Sequence, residues 1–562
     1  MIKNIIRKII EEALNRFKKT GAIPHDFKLP VVEIMEPKNK NFGDYSTNIA
    51  MIIANIGKTK GIKVNSRQFA ESFSCYLPSN RFFDSVEIAG PGFINIRLNK
   101  KWIQQQLLHI INKKDKFGYK KENGQYWQIE YVSANPTGPL HFGAARNAVL
   151  GDTLANVLKA EGYNVQREYY INDVGSQFSL FVESLYARYN QLFGRNINIP
   201  QQGYHGGYMF SYASKIKKKK GKYFLGIDKK KALQELSPIA LKMVLAEISD
   251  DLSEINIHFD SWFSEQSLYN DGLFDKLLEY LKIKGDIVEK DNATWFLTSK
   301  YPGNQKDDVI IRENGIPTYF ASDIAYHYDK FKRRQFDKVI NVWAVDHHGH
   351  VPRMDAIMRA LSLNPDKLSI LLYNLVKLNH SGEDIKMSKR SGKFITLKEL
   401  VRKIGSDAIR FMLLTYNSEQ EMNFDIAKVM NKDNKNPVYY VQYSHARATS
   451  IINKFNKNYI LKVEENRNLL NLLNHPAEIK LIKQMLDFDD QIKKVIENLS
   501  PNILTSFAVN LASHFNSFYR DCKVIDANNE DLMKARVLLC IAFRIVIARV
   551  FALIGISAPE KM

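Results

Sequence analysis

Two short stretches of this chain carry the residue types that handle phosphates. The first is Pro139-Leu140-His141-Phe142-Gly143-Ala144, placed between a strand-like run, Tyr126–Val132, and a helical pattern that starts near Ala144. Unpaired N–H groups and the dipole at a helix N-terminus favour anions, so this turn suits the phosphates of a nucleotide. Gly143 lets a ligand approach the backbone, and His141 can donate to a phosphate oxygen. The second stretch is Lys386-Met387-Ser388-Lys389-Arg390-Ser391-Gly392, a small cationic loop. Two lysines three apart on such a loop can close over a triphosphate and neutralise charge developing on pyrophosphate. Alone, each has an ordinary reading, a histidine packed at a turn and a basic surface loop. In this order on one chain, the pair shifts the balance from those ordinary readings towards a site for a nucleotide's phosphates.

The elements that must position these residues read as a parallel α/β fold. The strand YWQIEYV runs into SANPTGP, the following helix stops at Gly162, which suits a left-handed C-terminal cap, and VQREYYIND reads as the next strand. Ligands of such folds bind at the carboxyl ends of the strands. Residues 185–300 look helical and irregular, and their lysine run, 215–222, reads as a solvated loop. Alternation resumes in DDVIIRENGIPTYF and DKVINVWAVDHH, and from about residue 400 only helical periodicity is left. Ahead of the α/β region, apolar residues repeat on one helical face from Ile2 to Phe17. The β-rich VEIAGPGFINIRL and a polar linker at 113–125 follow.

Composition bounds the partners. A chain of 562 residues suggests roughly three to five domains. Its +20 net charge fits a polyanionic partner about as well as a lysine-rich surface without a target. Cys75, Cys522 and Cys540 form no CxxC pair, which argues against a disulfide framework and a cysteine zinc site and fits a reducing compartment. Glu11 and Glu12 interrupt the N-terminal apolar pattern, against a secretory signal. Arg544 and Arg549 break VLLCIAFRIVIARVFALIGIS short of the roughly 20 apolar residues a spanning helix needs, so it reads as a buried bundle helix.

HFGA and KMSKR resemble the two signatures of class I aminoacyl-tRNA synthetases. The resemblance narrows to the arginyl-tRNA synthetases through NFGDYSTNIA (41–50), GPGFINIRL (90–98), IEYVSANPTGPLHFGA (129–144), YYINDVGSQ, FDSWFSEQSLYN (259–270), PTYFASDIAYHYDKF (317–331), WAVDHHGH (343–350), NPVYYVQYSHARA (436–448), FNSFYRDCKVI (515–525) and APEKM. The resemblance implies a multidomain α/β protein. An α+β domain at 1–115 would bind the tRNA elbow. A Rossmann-type catalytic domain would fill 116–400, with an insertion at about 185–300. A connecting helical segment at 401–435 would lead to an all-α anticodon-binding domain at 436–562. It also implies that tRNA must be bound for the first step, that Mg²⁺ enters with ATP, and a cytoplasmic monomer without zinc or membrane contact.

The resemblance assigns residues as well. ATP would meet Pro139, His141, Gly143, Ala144, His348, Gly349, His350, Met387, Ser388 and Lys389, with His141, Lys386 and Lys389 acting on the transition state. A guanidinium is a planar, permanently charged fork best met by carboxylates. Tyr319, Asp323 and Glu265 would hold it, with Glu130 and Asn135 on the α-amino and carboxylate groups and His347 near the amino acid. A competitor lacking the guanidinium would leave these acids unpaired, which can reject it by roughly 10⁴–10⁵ without editing. For tRNA, Asn41, Tyr45 and Asn48 are candidates at the elbow, and Tyr439, Tyr440, Tyr443 and Arg447 at the anticodon loop, where unstacked bases favour aromatic partners.

Two departures bear on activity. Ala144 stands where the family usually has a second histidine that helps hold ATP, and Thr137-Gly138-Pro139 lacks the upstream lysine that some members substitute for a degenerate loop. Lys389 is kept, so the phosphate-binding charge is supplied once. Alternatives stay open here: a class I synthetase for another amino acid, or an inactive tRNA-binding protein that never forms an adenylate. A short nucleotidyltransferase is opposed by the long helical C-terminus.

Overall fold

The organising strand is β1, Tyr126–Glu130, whose residues from Trp127 onward are all buried, as the middle of a parallel sheet requires. It lies in a five-stranded parallel sheet with β2 (Asn164–Ile171), β3 (Ser261–Ser264), β4 (Lys338–Ala344) and β5 (Leu368–Tyr373), in the order β5-β4-β1-β2-β3. The order reverses between β1 and β4, so the crevice at their carboxyl ends is the switch point where such sheets bind ligands. This is a computed structural model, describing residues 2–37, 39–61, 64–78, 82–270, 272–380, 383–384, 395–431, 433, 435–456 and 467–562.

Helix α1, Gly143–Glu161, returns from β1 to β2 and is buried on nearly every side. Gly162 ends it at φ 96°, and a β-carbon there would collide with the Lys121 carbonyl oxygen, so position and contact both demand glycine. Gly151 is needed for a different reason: a β-carbon would run into the Tyr131 ring, which the helix crosses.

Three helices of the insertion follow: α2 (Ser176–Gln191), α3 (Tyr208–Lys220) and α4 (Lys229–Ser253). The lysine run read as a loop is instead mostly the last turns of α3. Its buried face, Met209, Tyr212, Ala213 and Ile216, keeps helical spacing and carries the lysines along. A small antiparallel sheet of residues 287–290, 293–296 and 308–311 precedes α5, Tyr319–Tyr328.

The N-terminal region packs helix Ile2–Phe17, through Ile2, Ile6, Ile10 and Leu14, in one core with a three-stranded antiparallel sheet. The C-terminal region is a helical bundle that includes α6 (Pro437–Asn456) and α7 (Glu530–Ile554). Helix α7 has the length and composition of a membrane-crossing segment, yet its apolar residues from Val537 to Ile554 pack against neighbouring helices as a core element does.

Between 400 and 435 the purely helical expectation fails. Met422–Asp425 forms a strand that pairs in parallel with Val376–His380. The run is too short for periodicity to reveal, and the pairing is decided by a segment far away in sequence. Fully buried Arg410 locks this connection to both neighbours. It donates to the carbonyls of Ile554 (2.7 Å) and Ile255 (2.8 Å) and pairs with Asp152 of α1 at 2.5 Å.

Candidate active site

The turn after β1 is built under constraint. Val132 and Ser133 have φ of 66° and 39°, unusual for non-glycine residues, and the Ser133 hydroxyl accepts the Tyr170 N–H at 3.1 Å. Gly143 opens α1, and a β-carbon there would lie 2.8 Å from the His141 ring, so only glycine leaves the imidazole where it is. The turn is stitched to the chain that emerges from the lysine loop: Phe142 N–H donates to Ile395 O (3.2 Å), Leu397 N–H donates to Leu140 O (2.9 Å), and His141 bridges to Thr396. From α1, buried Arg146 donates to the carbonyls of Asn374, Asn417 and Gln420, which flank the strand pair of Val376–His380 with Met422–Asp425. Lys386, Met387, Ser388 and Lys389 themselves lie outside the described residues.

At the carboxyl end of the sheet the register sets Asn341, Glu130, Glu168 and Ser261 side by side in one row. All but Ser261 are buried, so their charges need partners. Arg334 forms two bonds to Glu168, at 2.5 and 3.1 Å, and Tyr326 and Gln128 donate to the same carboxylate at 2.5 and 2.9 Å. Fully buried Lys330 bonds Glu130 Oε2 at 2.7 Å and Asn341 Oδ1 at 3.1 Å, with its ammonium 4.0 Å from the Tyr326 ring centre. Asn341 in turn contacts His327 at 3.1 Å. Burial, with Lys330 beside it, pushes the His327 imidazole down to about 3, so it stays neutral.

Near this row are two acids, Asp323 and Glu265, that form no salt bridge among the described residues. Burial pushes Asp323 up to about 8, aided by the charges of Glu130 and Glu265 and opposed by Lys330. Burial likewise pushes Glu265 up to about 7, with Asp173 adding to it and hydrogen bonds from Ser322 and Tyr170 opposing it. Ser322 donates to Glu265 Oε1 at 2.5 Å, and the Asn172 amide lies 3.0 Å from both Glu265 Oε2 and Asn135 Oδ1. Asn135 donates to Gln177 at 2.8 Å, so it shares this network. Tyr319 begins α5 one turn before Asp323 and leaves over half its surface exposed. The result is an acidic candidate cleft, with Tyr170 bonded to Glu265 and Tyr319 one helical turn from Asp323.

The expected residues divide. Glu130, Asn135, Glu265, Tyr319 and Asp323 converge at this cleft, and His141, Gly143 and Ala144 at the turn. His347, His348, Gly349 and His350 sit in the turn after β4, across the crevice, where His347 is exposed with its ring 6.1 Å from Trp343 and 5.7 Å from His350. Lys330, Tyr170 and Ser322 were not singled out from the sequence. A lysine at the end of an amphipathic helix reads as a surface charge, and nothing local reveals a carboxylate two hundred residues upstream. Among the described residues, no group of three or more His, Cys, Asp or Glu is placed to hold a metal ion.

On α6, Tyr439 and Tyr443 stack at 6.0 Å with planes 10° apart, and the Arg447 guanidinium lies 4.7 Å from the Tyr443 ring and 4.9 Å from that of Tyr519. All three α6 side chains are half-buried, and Tyr440 is half-buried on the same helix. Tyr439 also lines a cavity of about 850 Å³ with Lys403, Gln442 and Met562. In the N-terminal region Asn41 is exposed and Asn48 half-buried, but Tyr45 is only 7% exposed. It packs into the core on a short strand and presents little of its ring to the surface, unlike the exposed aromatic expected there.

Comparison with known proteins agrees in all three regions. Residues 3–98 match the arginyl tRNA synthetase N terminal domain, residues 106–462 the class I (R) tRNA synthetase catalytic domain, and residues 441–562 the DALR anticodon binding domain. The arginine–tRNA ligase of Dehalococcoides mccartyi is 41% identical over 563 residues, covering 100% of this chain and 99% of that protein. That of Caldanaerobacter subterraneus subsp. tengcongensis is 41% identical over 565 residues, with the same coverage. Thermus thermophilus arginyl-tRNA synthetase shares the fold, with a TM-score of 0.75 over 100% of both chains at 20% identity. With three family models and full-length relatives of this kind matched on a parallel-sheet fold, the chain belongs to the arginyl-tRNA synthetase family.

Proposed function

We propose that this protein activates L-arginine with ATP and transfers it to the terminal adenosine of tRNA(Arg). The observation that carries the reading is that Glu265 and Asp323, both pushed up by burial, form no salt bridge among the described residues, while Ser322 and Asn172 reach only Glu265 of the two. A guanidinium entering there relieves their mutual repulsion and supplies the charge they lack. A neutral or acidic side chain leaves them buried and unpaired.

In the first step an arginine carboxylate oxygen bonds to the α-phosphorus of ATP, the bond to the bridging oxygen breaks, and pyrophosphate leaves. Such a transfer rests on positioning and charge stabilisation. His141 and the α1 N-terminus meet the phosphates from one side, and Lys386 and Lys389 are assigned to the other. Pro139, Gly143 and Ala144 bring backbone close to the nucleotide. His348, Gly349 and His350 approach it from the β4 side, with Met387 and Ser388 completing the loop. Mg²⁺ would accompany ATP and offset the charge of its phosphates. In the second step the 2′-hydroxyl of the terminal adenosine attacks the arginyl carbonyl and AMP departs.

Tyr439, Tyr443 and Arg447 offer the anticodon loop a stacking face, and Asn41 and Asn48 offer polar contacts at the elbow. The protein works as a monomer in the cytoplasm, and its three free cysteines, two of them buried, fit a reducing compartment.

Arginine-dependent ATP–pyrophosphate exchange, run with and without tRNA, tests the proposal. Exchange that requires both arginine and tRNA supports it and shows that Ala144 is compatible with activity. Tight tRNA binding without exchange under either condition rejects catalysis, and exchange with another amino acid rejects the substrate.

A further inference from the structure

The sharpest backbone constraint in the catalytic region lies just past the end of β1. Val132 holds a φ of 66° and Ser133 a φ of 39°. A β-branched residue in the left-handed region is an outlier, and such conformations persist only where the surroundings enforce them. The side chain that restrains Val132 is buried Asn147 of α1. It accepts the Val132 N–H at 2.6 Å and donates to the Val342 carbonyl of β4 at 2.9 Å. Tyr373, the last residue of β5, hydrogen-bonds the same side chain. One amide therefore ties the end of β1 to α1, β4 and β5 at the switch point of the sheet.

The strained pair has consequences in the cleft. Ser133 turns its hydroxyl back onto Glu130, donating to Oε1 at 3.3 Å while accepting the Tyr170 N–H at 3.1 Å. Lys330 holds the other oxygen of Glu130, so the carboxylate is fixed from both sides. The chain then passes Ala134, whose carbonyl accepts the Tyr169 hydroxyl at 2.6 Å, and delivers Asn135 to Asn172 and Gln177. Extended backbone at Val132 and Ser133 would carry the chain onward in the direction of β1, away from Glu130. Asn147 meanwhile stands four residues, about one helical turn, along α1 from Gly143.

We propose that Asn147 is a positioning residue for the activation step. It clamps Val132 in its strained conformation and so fixes residues 133–135 against the helix that begins at Gly143. The inference rests on the proposed function, in which Glu130 and Asn135 hold the α-amino and carboxylate groups while His141 and Gly143 meet ATP. The attacking oxygen and the α-phosphorus then belong to different halves of the site. A misplacement of about 1 Å between such halves costs on the order of 10²-fold in rate. Asn147 sets that alignment without touching either substrate.

The strain gives the test a signature that simple packing does not share. Glycine adopts a φ of 66° without penalty, so it should remove the need for the clamp. Arginine-dependent pyrophosphate exchange, with tRNA present, is measured for Asn147→Ala, Val132→Gly and the double variant. Asn147→Ala should lower kcat roughly 30- to 100-fold with the KM for tRNA unchanged. Val132→Gly alone should cost at most about threefold, and the double variant should recover about tenfold over Asn147→Ala. Crystal structures read the backbone directly. Position 132 should leave the left-handed region in Asn147→Ala, with Ser133 lifting from Glu130, and should keep its positive φ in the double variant. A kcat for Asn147→Ala within about threefold of wild type overturns the inference, as does a double variant no faster than Asn147→Ala. Should Asn147→Ala fail to fold, the double variant is compared with Val132→Gly: rates within about threefold support the clamp, and a loss of about tenfold or more overturns it. A wild-type protein that activates no amino acid would reject the proposed function instead, and the backbone at position 132 in the variants would still decide whether Asn147 holds the turn.

Discussion

The arginine cleft and the tyrosine face of α6 are assigned to two ligands, and they are built in opposite ways. The cleft keeps acids out of water at considerable cost, and a chain of partners spreads that cost through the sheet: Lys330 on Glu130, Arg334 on Glu168, Asn341 between Lys330 and His327. The α6 face needs no such support. Tyr439, Tyr443 and Arg447 are half-exposed on one helical stripe, and the bundle behind them only has to be rigid. Reading a small cation calls for desolvated, incompletely paired charge, because a carboxylate in water discriminates weakly. Reading a nucleobase calls for a flat face, which remains useful when wet.

The largest effect should come from the cleft. Asp323→Asn should lower kcat/KM for arginine by roughly 10²–10³-fold, because a buried charge pair loses one member. The same variant should be more stable than wild type at pH 9 without arginine, since it removes a charge that Glu130 and Glu265 repel. Thermal unfolding beside steady-state kinetics checks both halves, and loss of both activity and stability would break the contrast.

Next comes the turn. Gly143→Ala pushes a methyl against the His141 ring, where the β-carbon would lie at 2.8 Å. A displacement of that kind should slow pyrophosphate exchange roughly 10- to 100-fold while tRNA affinity holds. On α6, Tyr443→Ala removes one stacking ring and the platform under Arg447, and should raise the tRNA KM about tenfold with arginine and ATP values unchanged.

A pH dependence confined to the cleft sharpens the comparison without any substitution. Arginine binds the ionised acids, and Glu265 and Asp323 sit at about 7 and about 8. The KM for arginine should therefore fall as pH rises from 6 to 8, by at most about tenfold per unit for each proton displaced. Stability of the empty protein runs the other way. Both acids have folded values above their ordinary 4.5 and 3.8, so their contribution is complete below about pH 4 and is lost as pH rises through 7 and 8. Saturating arginine should restore it, so the arginine-induced rise in Tm should be larger at pH 9 than at pH 6. The tRNA KM should show no matching inflection from α6.

Much of the catalytic region was legible because its signals are local. Gly162 marks the end of α1 by a backbone angle that glycine tolerates, and Gly143 was read as allowing close approach. Tyr319 and Asp323 share a helical face by their spacing, and Glu130 ends a strand that reads as one. The strand Met422–Asp425 and the helical form of the lysine run were misread for the same reason: a few residues carry too little periodicity, and tertiary packing decides. Tyr45 looked like an available aromatic because burial of a single tyrosine on a three-residue strand leaves no sequence trace.

By itself the sequence determined the class of fold, the order of its regions and the chemistry of the turn, because glycine placement, hydrophobic period and helix caps act over a few neighbouring residues. Only the tertiary structure decided which charges are paired. Lys330 meets Glu130 across the sheet, Glu265 raises Asp323 with no salt bridge to either among the described residues, and three helices converge on residues 135–140. Electrostatic energy depends on distance and burial in three dimensions, and neither quantity is a property of any short stretch of chain.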